Sequence, residues 1–379
     1  MTGLPFVRGL EKVPAAESAV SFIDGEQGRL EYRGIPIEDL ALHSTYEETA
    51  WLLLEGRLPS QKELADFDAR LKQERRIKYK LKDLIKCMPE GGHPMDALQA
   101  SVAAMAMYYP MSNVNDEDKN WEAVVRLIAK MPTLVAAFHR LRQGEDAVTP
   151  REDLDHASNF YYMLFEKDPS PGIRKVIDAC LILHAEHTMN ASTFTARVTG
   201  STLSTPYAVV SSAIGSLHGP LHGGANERVL ETLDQIGSVE NVRSWAEDAI
   251  ANKKKIMGFG HRVYKTKDPR AKALHEFALQ ALSEQDQSAQ FQVAMELEKV
   301  VAEKLSAKGI YPNVDFFSGI VYQALGIPRD LFTPIFAIAR VSGWLSHWLE
   351  QLEGNRIFRP SQVFVGERDK KYIPLEQRA

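Results

Sequence analysis

Apolar residues recur at intervals of three and four along almost the whole chain, and only one short stretch alternates as a strand would. A chain patterned this way buries helical stripes against one another, so the spacing predicts an all-α fold with at most a small N-terminal β-hairpin. The best-marked start is Ser60-Gln-Lys-Glu63, a capping box, with Leu64, Phe67 and Leu71 following on one stripe. The same periodicity predicts helices over 96–109, 121–141 with a break near Pro132, 153–165, 173–187 and 206–217. Others are predicted over 226–236, 239–252, 270–282, 293–307, 316–325 and 334–352. Val20 and Phe22, then Leu30 and Tyr32, flank Asp24-Gly-Glu-Gln-Gly28 and predict the hairpin.

With 379 residues the chain can bury a large core, as two domains or one large one. The helical signal lapses at 217–224 and again at 326–330. A segment that leaves the main body and returns through two such breaks rests on two hinges, a construction that closes over substrates. The formal net charge of −5 excludes bulk attraction to nucleic acid or anionic membrane. Every long apolar stretch is broken by Arg, His or Pro, and Met1-Thr-Gly-Leu-Pro-Phe6 lacks the blocks of a signal peptide. A cytoplasmic protein without organelle presequence is therefore expected. Cys87 and Cys180, the two cysteines, fall in apolar helical patterns and read as reduced core thiols.

Function is concentrated in a few stretches. In Gly258-Phe-Gly-His261 the glycines let the backbone take conformations closed to other residues, so a ligand can lie against the main chain beside the imidazole. Asp268-Pro269 pins a turn that sets the Arg270 guanidinium to grip a planar carboxylate; an exposed basic loop is the alternative. In Ser216-Leu-His218-Gly-Pro-Leu-His222-Gly-Gly-Ala-Asn226, Gly219-Pro220 stops a helix, so His218 and His222 share no helical face. His222 falls just before the next helix, where the dipole favours a neutral ring able to polarise a carbonyl, unless it serves only as a cap. Asp315 stands between a proline turn and two phenylalanines; shielding raises its basicity, and helix capping is the structural alternative. His184 and His187 are three apart with Glu186 between, a spacing open to a metal site, an anion site or a hydrogen-bonded core pair. No HExxH or CxxC accompanies them. Arg340 interrupts an apolar run and must be paired or face a ligand. Arg359 lies near the C-terminus, where an exposed arginine is ordinary. Lys253, Lys254 and Lys255, with Arg262, Lys265 and Lys267, form a basic cluster open to a phosphorylated ligand or to solvent.

In joint order and spacing these elements resemble the citrate synthase family over essentially the whole chain. The matching residues are Glu186-His187-Thr-Met-Asn190, Gly219-Pro-Leu-His222-Gly-Gly-Ala-Asn226, Gly258-Phe-Gly-His261 through Arg270, Pro312-Asn-Val-Asp315, Ala339-Arg340 and Arg359-Pro360. The resemblance implies a large helical domain from 1–219 and 327–379, with 220–326 as a small domain that closes over the site. It implies that Asp315 takes a proton from the acetyl methyl of acetyl-CoA, that His222 donates to the thioester oxygen, and that His261 polarises the ketone of oxaloacetate. His187, Arg270 and Arg340 would then hold the oxaloacetate carboxylates, with Arg359 reaching in from the neighbouring subunit of a homodimer. The resemblance implies that citryl-CoA would then be hydrolysed to citrate and CoA. Lys255, Gly258 and Lys265 lie where the family holds CoA, which is a co-substrate; no permanent cofactor and no metal are implied. In a chain this short, the extension that resembles a regulatory NADH-binding element in longer bacterial forms is not expected, nor is inhibition by that route.

Chemically the set is coherent without a metal or a covalent nucleophile. A weakly acidic carbon loses a proton when the developing oxyanion receives a positioned donor as the base acts. The nearest alternative is 2-methylcitrate synthase, which takes propionyl-CoA; one methylene is worth only about 1–3 kcal/mol of discrimination. A helical metal-dependent hydrolase and a catalytically silent assembly protein are alternatives of other classes.

Overall fold

The computed structural model describes residues 6–261, 263–283 and 289–378; residues 1–5 of the N-terminal stretch and Arg262 of the basic cluster lie outside the described residues. The chain opens with a three-stranded antiparallel sheet, β1 (Ser21–Asp24), β2 (Arg29–Tyr32) and β3 (Ile35–Pro36), in that order. The expected hairpin is its first two strands, paired Ser21 to Tyr32 and Asp24 to Arg29. Asp24 Oδ1 accepts from the amides of Glu26 and Gln27, each at 2.9 Å, which closes the turn.

Helices follow almost without interruption. They are α1 (Ile37–His43), α2 (Tyr46–Glu55), α3 (Gln61–Glu74), α4 (Tyr79–Lys86), α5 (Pro94–Tyr108), α6 (Glu117–Arg142), α7 (His156–Phe165), α8 (Pro171–His184), α9 (Ala191–Gly200) and α10 (Pro206–His218). After the break at 219–224 come α11 (Ala225–Ile236), α12 (Val239–Ala251), α13 (Pro269–Ser283), α14 (Ala289–Leu305) and α15 (Val314–Ala324), then α16 (Phe332–Glu353). The capping box at Ser60 and Glu63 is formed in both directions. Helix α16 is buried along nearly its whole length and packs against α2, α6, α8, α9 and α10, so the core is wrapped around it. Helices α11, α12, α14 and α15 pack mainly on one another, while α13 touches both α15 and α8.

Three expectations need correction. Helix α6 runs unbroken through Pro132. Interior proline costs about 3 kcal/mol, but 127–139 is buried throughout, and that packing outweighs the lost hydrogen bond. Helix α8 stops at His184 rather than continuing to His187, because the buried Tyr32 hydroxyl accepts the Glu186 amide at 3.1 Å and donates toward the Glu186 carbonyl at 2.8 Å. Cys87 is exposed just beyond α4, whose buried face is Leu81 and Ile85, whereas Cys180 is buried; both thiols are free.

Candidate active site

Two loops distant in sequence are stitched together at the cleft. Phe259 and Pro312 form an isolated antiparallel bridge, Gly260 N–H donates to Tyr311 O at 2.8 Å, and Asn313 N–H donates to Gly258 O at 2.9 Å. The bridge needs Gly258 and Gly260 at φ of 79° and 80°, in the left-handed region. It leaves His261 two residues from the bridge on one strand and Asp315 three from it on the other. Asn313, not Asp315, caps α15, with Oδ1 accepting from the Asp315 amide at 3.1 Å. The Asp315 carboxylate is thus free of capping duty. Burial raises its pKa to about 6, against the opposing pull of the Arg270 and Arg340 charges.

His261 is fixed by its own loop. Its Nδ1 accepts from the amides of Val263 and Tyr264, at 3.1 and 3.3 Å, so the ring proton resides on Nε2 and can be donated. Burial, then the Arg270 charge, lowers its pKa to about 4, so the ring is neutral near pH 7. The rings of His187, His261 and Tyr264 form one cluster, with centroids 4.7 to 5.7 Å apart.

The turn between α8 and α9 supplies the opposite wall. Thr188 is held at φ 52°, unusual for a β-branched residue, with its amide donating to Ser21 Oγ at 3.2 Å. Asn190 caps α9, and the next amide, Ser192 N–H, points at His222 Nε2 from 3.3 Å. A backbone N–H can only donate, so this contact makes Nε2 the accepting nitrogen and leaves the proton on Nδ1. Asn190 Oδ1, 3.2 Å from the same nitrogen, is engaged by the Thr193 amide, and the Ser192 hydroxyl, 2.9 Å from Nε2, turns its proton to that nitrogen as well. His222 therefore does not cap α11, whose N-terminus receives no side-chain cap. Its pKa is lowered to about 4 by burial first and by the Arg340 charge second.

The arginines differ. Arg270 is buried and locked in a two-pronged pair with Asp268, Nε to Oδ1 at 3.1 Å and Nη2 to Oδ2 at 2.8 Å. The carboxylate it grips here is the protein's own. Arg340, 1% exposed, donates Nε–H to His184 O at 2.7 Å, and its Nη2 is buried without a partner. Among the described residues it joins no ion pair within 4 Å, and the charge that most favours its own is that of the buried Glu186. Arg359 is exposed on the C-terminal segment and is not brought to these residues within one chain. Lys255 and Lys265 are exposed but close enough for their charges to act on Asp315 and His261, respectively. Lys254 pairs with Asp248 at 2.9 Å. Gly258 bears on the site through its backbone, since a Cβ there would sit 2.9 Å from Phe316 Cβ.

His184 hydrogen-bonds through Nδ1 to Cys180 O at 2.7 Å, the core reading of that histidine. Among the described residues no group of three or more His, Cys, Asp or Glu is disposed to hold a metal ion. Sequence reasoning passed over Tyr264 and Ser192, which lack a motif of their own, and treated Asp268 only as a turn residue. The charges of Arg270 and Arg340 act together on His187 and Asp315, and that of Arg340 also on His222. The cleft thus sets a half-buried acid of raised basicity and two neutral imidazole donors around cationic groups suited to a small polyanion.

Comparison with known proteins agrees with this chemistry. The family model for the citrate synthase C-terminal domain matches residues 9–361. Citrate synthase of Synechocystis sp. is 58% identical, covering 98% of this chain and 94% of that protein, and that of Acidithiobacillus ferridurans is 51% identical, covering 98% of each. Among solved structures, citrate synthase from Pyrobaculum aerophilum superposes with a TM-score of 0.92 at 43% identity, over 99% of this chain and 96% of that one. A ternary complex of Thermoplasma acidophilum citrate synthase with carboxymethyl coenzyme A and oxaloacetate gives 0.93 at 34% identity, over 99% and 100%. The chain belongs to the citrate synthase family.

Proposed function

We propose that this chain condenses acetyl-CoA with oxaloacetate through Asp315, His222 and His261. The Asp315 carboxylate removes a proton from the acetyl methyl, while the Nδ1–H of His222 stabilises the enol or enolate oxygen. The carbon attacks the ketone of oxaloacetate, whose oxygen takes a hydrogen bond and then a proton at the Nε2–H of His261. Water cleaves the thioester of citryl-CoA, giving citrate and CoA. His187, Arg270 and Arg340 hold the carboxylates, and Lys255 and Lys265 with the backbone at Gly258 face the CoA. The co-crystallised ligands of the Thermoplasma protein support both substrates here. The observation that carries the reading is the Asp315 carboxylate, free of capping duty and raised to about 6, which shares the charge of Arg340 with the neutral His222 and that of Arg270 with the neutral His261. Residues 220–326 act as the small domain, closing on the body through the breaks on either side.

Thiol release from acetyl-CoA tests the mechanism. It requires oxaloacetate in the wild type, and Asp315→Ala lowers kcat by about 10³-fold or more. Release independent of oxaloacetate, or full activity in the variant, sinks it.

The working unit is a homodimer in which Arg359 completes the partner's site. The C-terminal segment is extended and leaves Val365 93% exposed, with Phe364, Tyr372 and Leu375 also exposed, an apolar strip suited to a second copy. Mixing inactive Asp315→Ala and Arg359→Ala chains then restores activity, because one site of the mixed dimer has neither defect. No recovery on mixing means that Arg359 serves its own chain or none.

A further inference from the structure

Tyr264 is absent from the roles assigned above, yet it touches two of the residues that have them. It is 2% exposed, and its hydroxyl lies 3.3 Å from His187 Nε2 while its ring flanks that of His261. The segment that carries it is seated on the turn of the N-terminal sheet. Lys265 N–H donates to Gly25 O at 2.9 Å, a Cβ on Gly25 would overlap the Val263 carbonyl, and one on Gly28 would sit 2.7 Å from Thr266 Cγ2. This close fit, possible only with glycine on the turn, delivers the phenol across the cleft to the turn after α8.

We propose that Tyr264 is a positioning residue for the condensation: its hydroxyl donates to Nε2 of His187 and thereby holds the imidazole proton on Nδ1, the nitrogen that meets an oxaloacetate carboxylate. The inference rests on the reading of His187 as an oxaloacetate ligand. Burial, reinforced by Arg270, keeps His187 uncharged, so the ring has a single N–H to offer. Nδ1 has no hydrogen-bond partner among the described residues, whereas Nε2 has Tyr264. Were the proton on Nε2, the ring would turn a lone pair toward an anion. A phenol beside Nε2 prevents this, because burial pushes its own ionisation up and keeps its proton available.

Calorimetric titration of oxaloacetate into the wild type, Tyr264→Phe, His187→Ala and the double variant tests the idea. Phenylalanine keeps the ring and removes only the hydroxyl, so a thermal midpoint near that of the wild type is expected. Tyr264→Phe weakens oxaloacetate about tenfold, the scale of one hydrogen bond. In the His187→Ala background the same change alters affinity less than twofold, since Tyr264 acts only through His187. Wild-type affinity in Tyr264→Phe, or an equal loss in both backgrounds, overturns the role of Tyr264 while leaving that of His187 intact. Unchanged affinity in His187→Ala removes the reading beneath it. Independently, imidazole ¹⁵N shifts of the substrate-free wild type report His187 protonated at Nδ1; protonation at Nε2 rejects the proposal even if the variants fold poorly.

Discussion

The two walls of the cleft are held in contrasting ways. On the α8–α9 side, His187 follows Glu186, whose Oε1 meets His347 Nε2 and Ser21 Oγ, each at 3.1 Å. His347 Nδ1 accepts from Arg197 Nε at 3.1 Å, and Arg197 is paired with Glu350 and hydrogen-bonded to Gln351. A buried polar chain thus runs back from the site through α16 and α9. On the other side, His261 and Asp315 depend on one β-bridge, two left-handed glycines and amides of the same loop. The first wall is built as part of the core. The second is shaped by main-chain contacts between short loops, and it meets the rest of the chain at the turn of the sheet, where Lys265 N–H donates to Gly25 O.

The arginines sharpen this contrast, and they carry the largest expected difference in stability. Arg270 on the loop side is satisfied by Asp268, so Arg270→Met strands a buried carboxylate and costs about 3–5 kcal/mol. Arg340 on the core side joins no ion pair and gives its Nε–H to His184 O, so Arg340→Met strands only a carbonyl and costs about 1–2 kcal/mol. Both variants lose oxaloacetate affinity. Urea unfolding of the substrate-free proteins separates them, and equal destabilisation by the two substitutions would erase the contrast.

A smaller effect probes the bridge itself. At Gly258 an added Cβ would meet Val229 Cγ2 at 2.7 Å and Phe316 Cβ at 2.9 Å, in addition to the positive φ. Gly258→Ala is expected to cost about 2 kcal/mol and to lower kcat by displacing Asp315. Gly260 has the same backbone strain but only Ile310 Cγ2 at 3.9 Å, so Gly260→Ala costs about 1 kcal/mol. Melting curves of the pair test the ranking. Equal losses would show that the left-handed backbone, not the close approach to α15, governs the loop.

Legibility from sequence divides along the same line. Ordinary helices announced themselves through caps and stripes, as at Ser60 and Phe67, and Asp315, His261 and His222 stood out because glycine or proline surrounds them. Helices α1, α2, α4 and α9 have no counterpart among the predicted ones; Ala191–Gly200 is rich in Ser and Thr and carries no apolar stripe, and its start depends on the Asn190 cap and on packing against α10 and α16. Pro132 misled for the converse reason, because local chemistry predicts a break that burial overrides. Tyr264 and Ser192 act through partners at 77 and 30 positions' separation, a relation no local pattern encodes. The partner of Arg270 was two residues away in the sequence, but which carboxylate the fork would hold depended on burial of both.

The acid limb of the pH profile is the subtlest way to compare the walls, because both reach Asp315 through their charges. If Asp315 is the base proposed above it works as the carboxylate, so kcat/KM is expected to fall tenfold per unit below about pH 6, where the acid binds its proton. His222 and His261 add nothing to that limb, since each is neutral down to about 4. A nearby cation favours the carboxylate and lowers its pKa, so removing one moves the limb to higher pH. Arg270 exerts the larger pull and Arg340 the smaller, so Arg270→Met should shift the limb further than Arg340→Met, even though overall rates fall in both. The limb position is read from the ratio of rates at successive pH values, which tolerates low absolute activity. A limb that stays in place in both variants would mean that neither guanidinium faces the base, and with that the shared cleft would come apart.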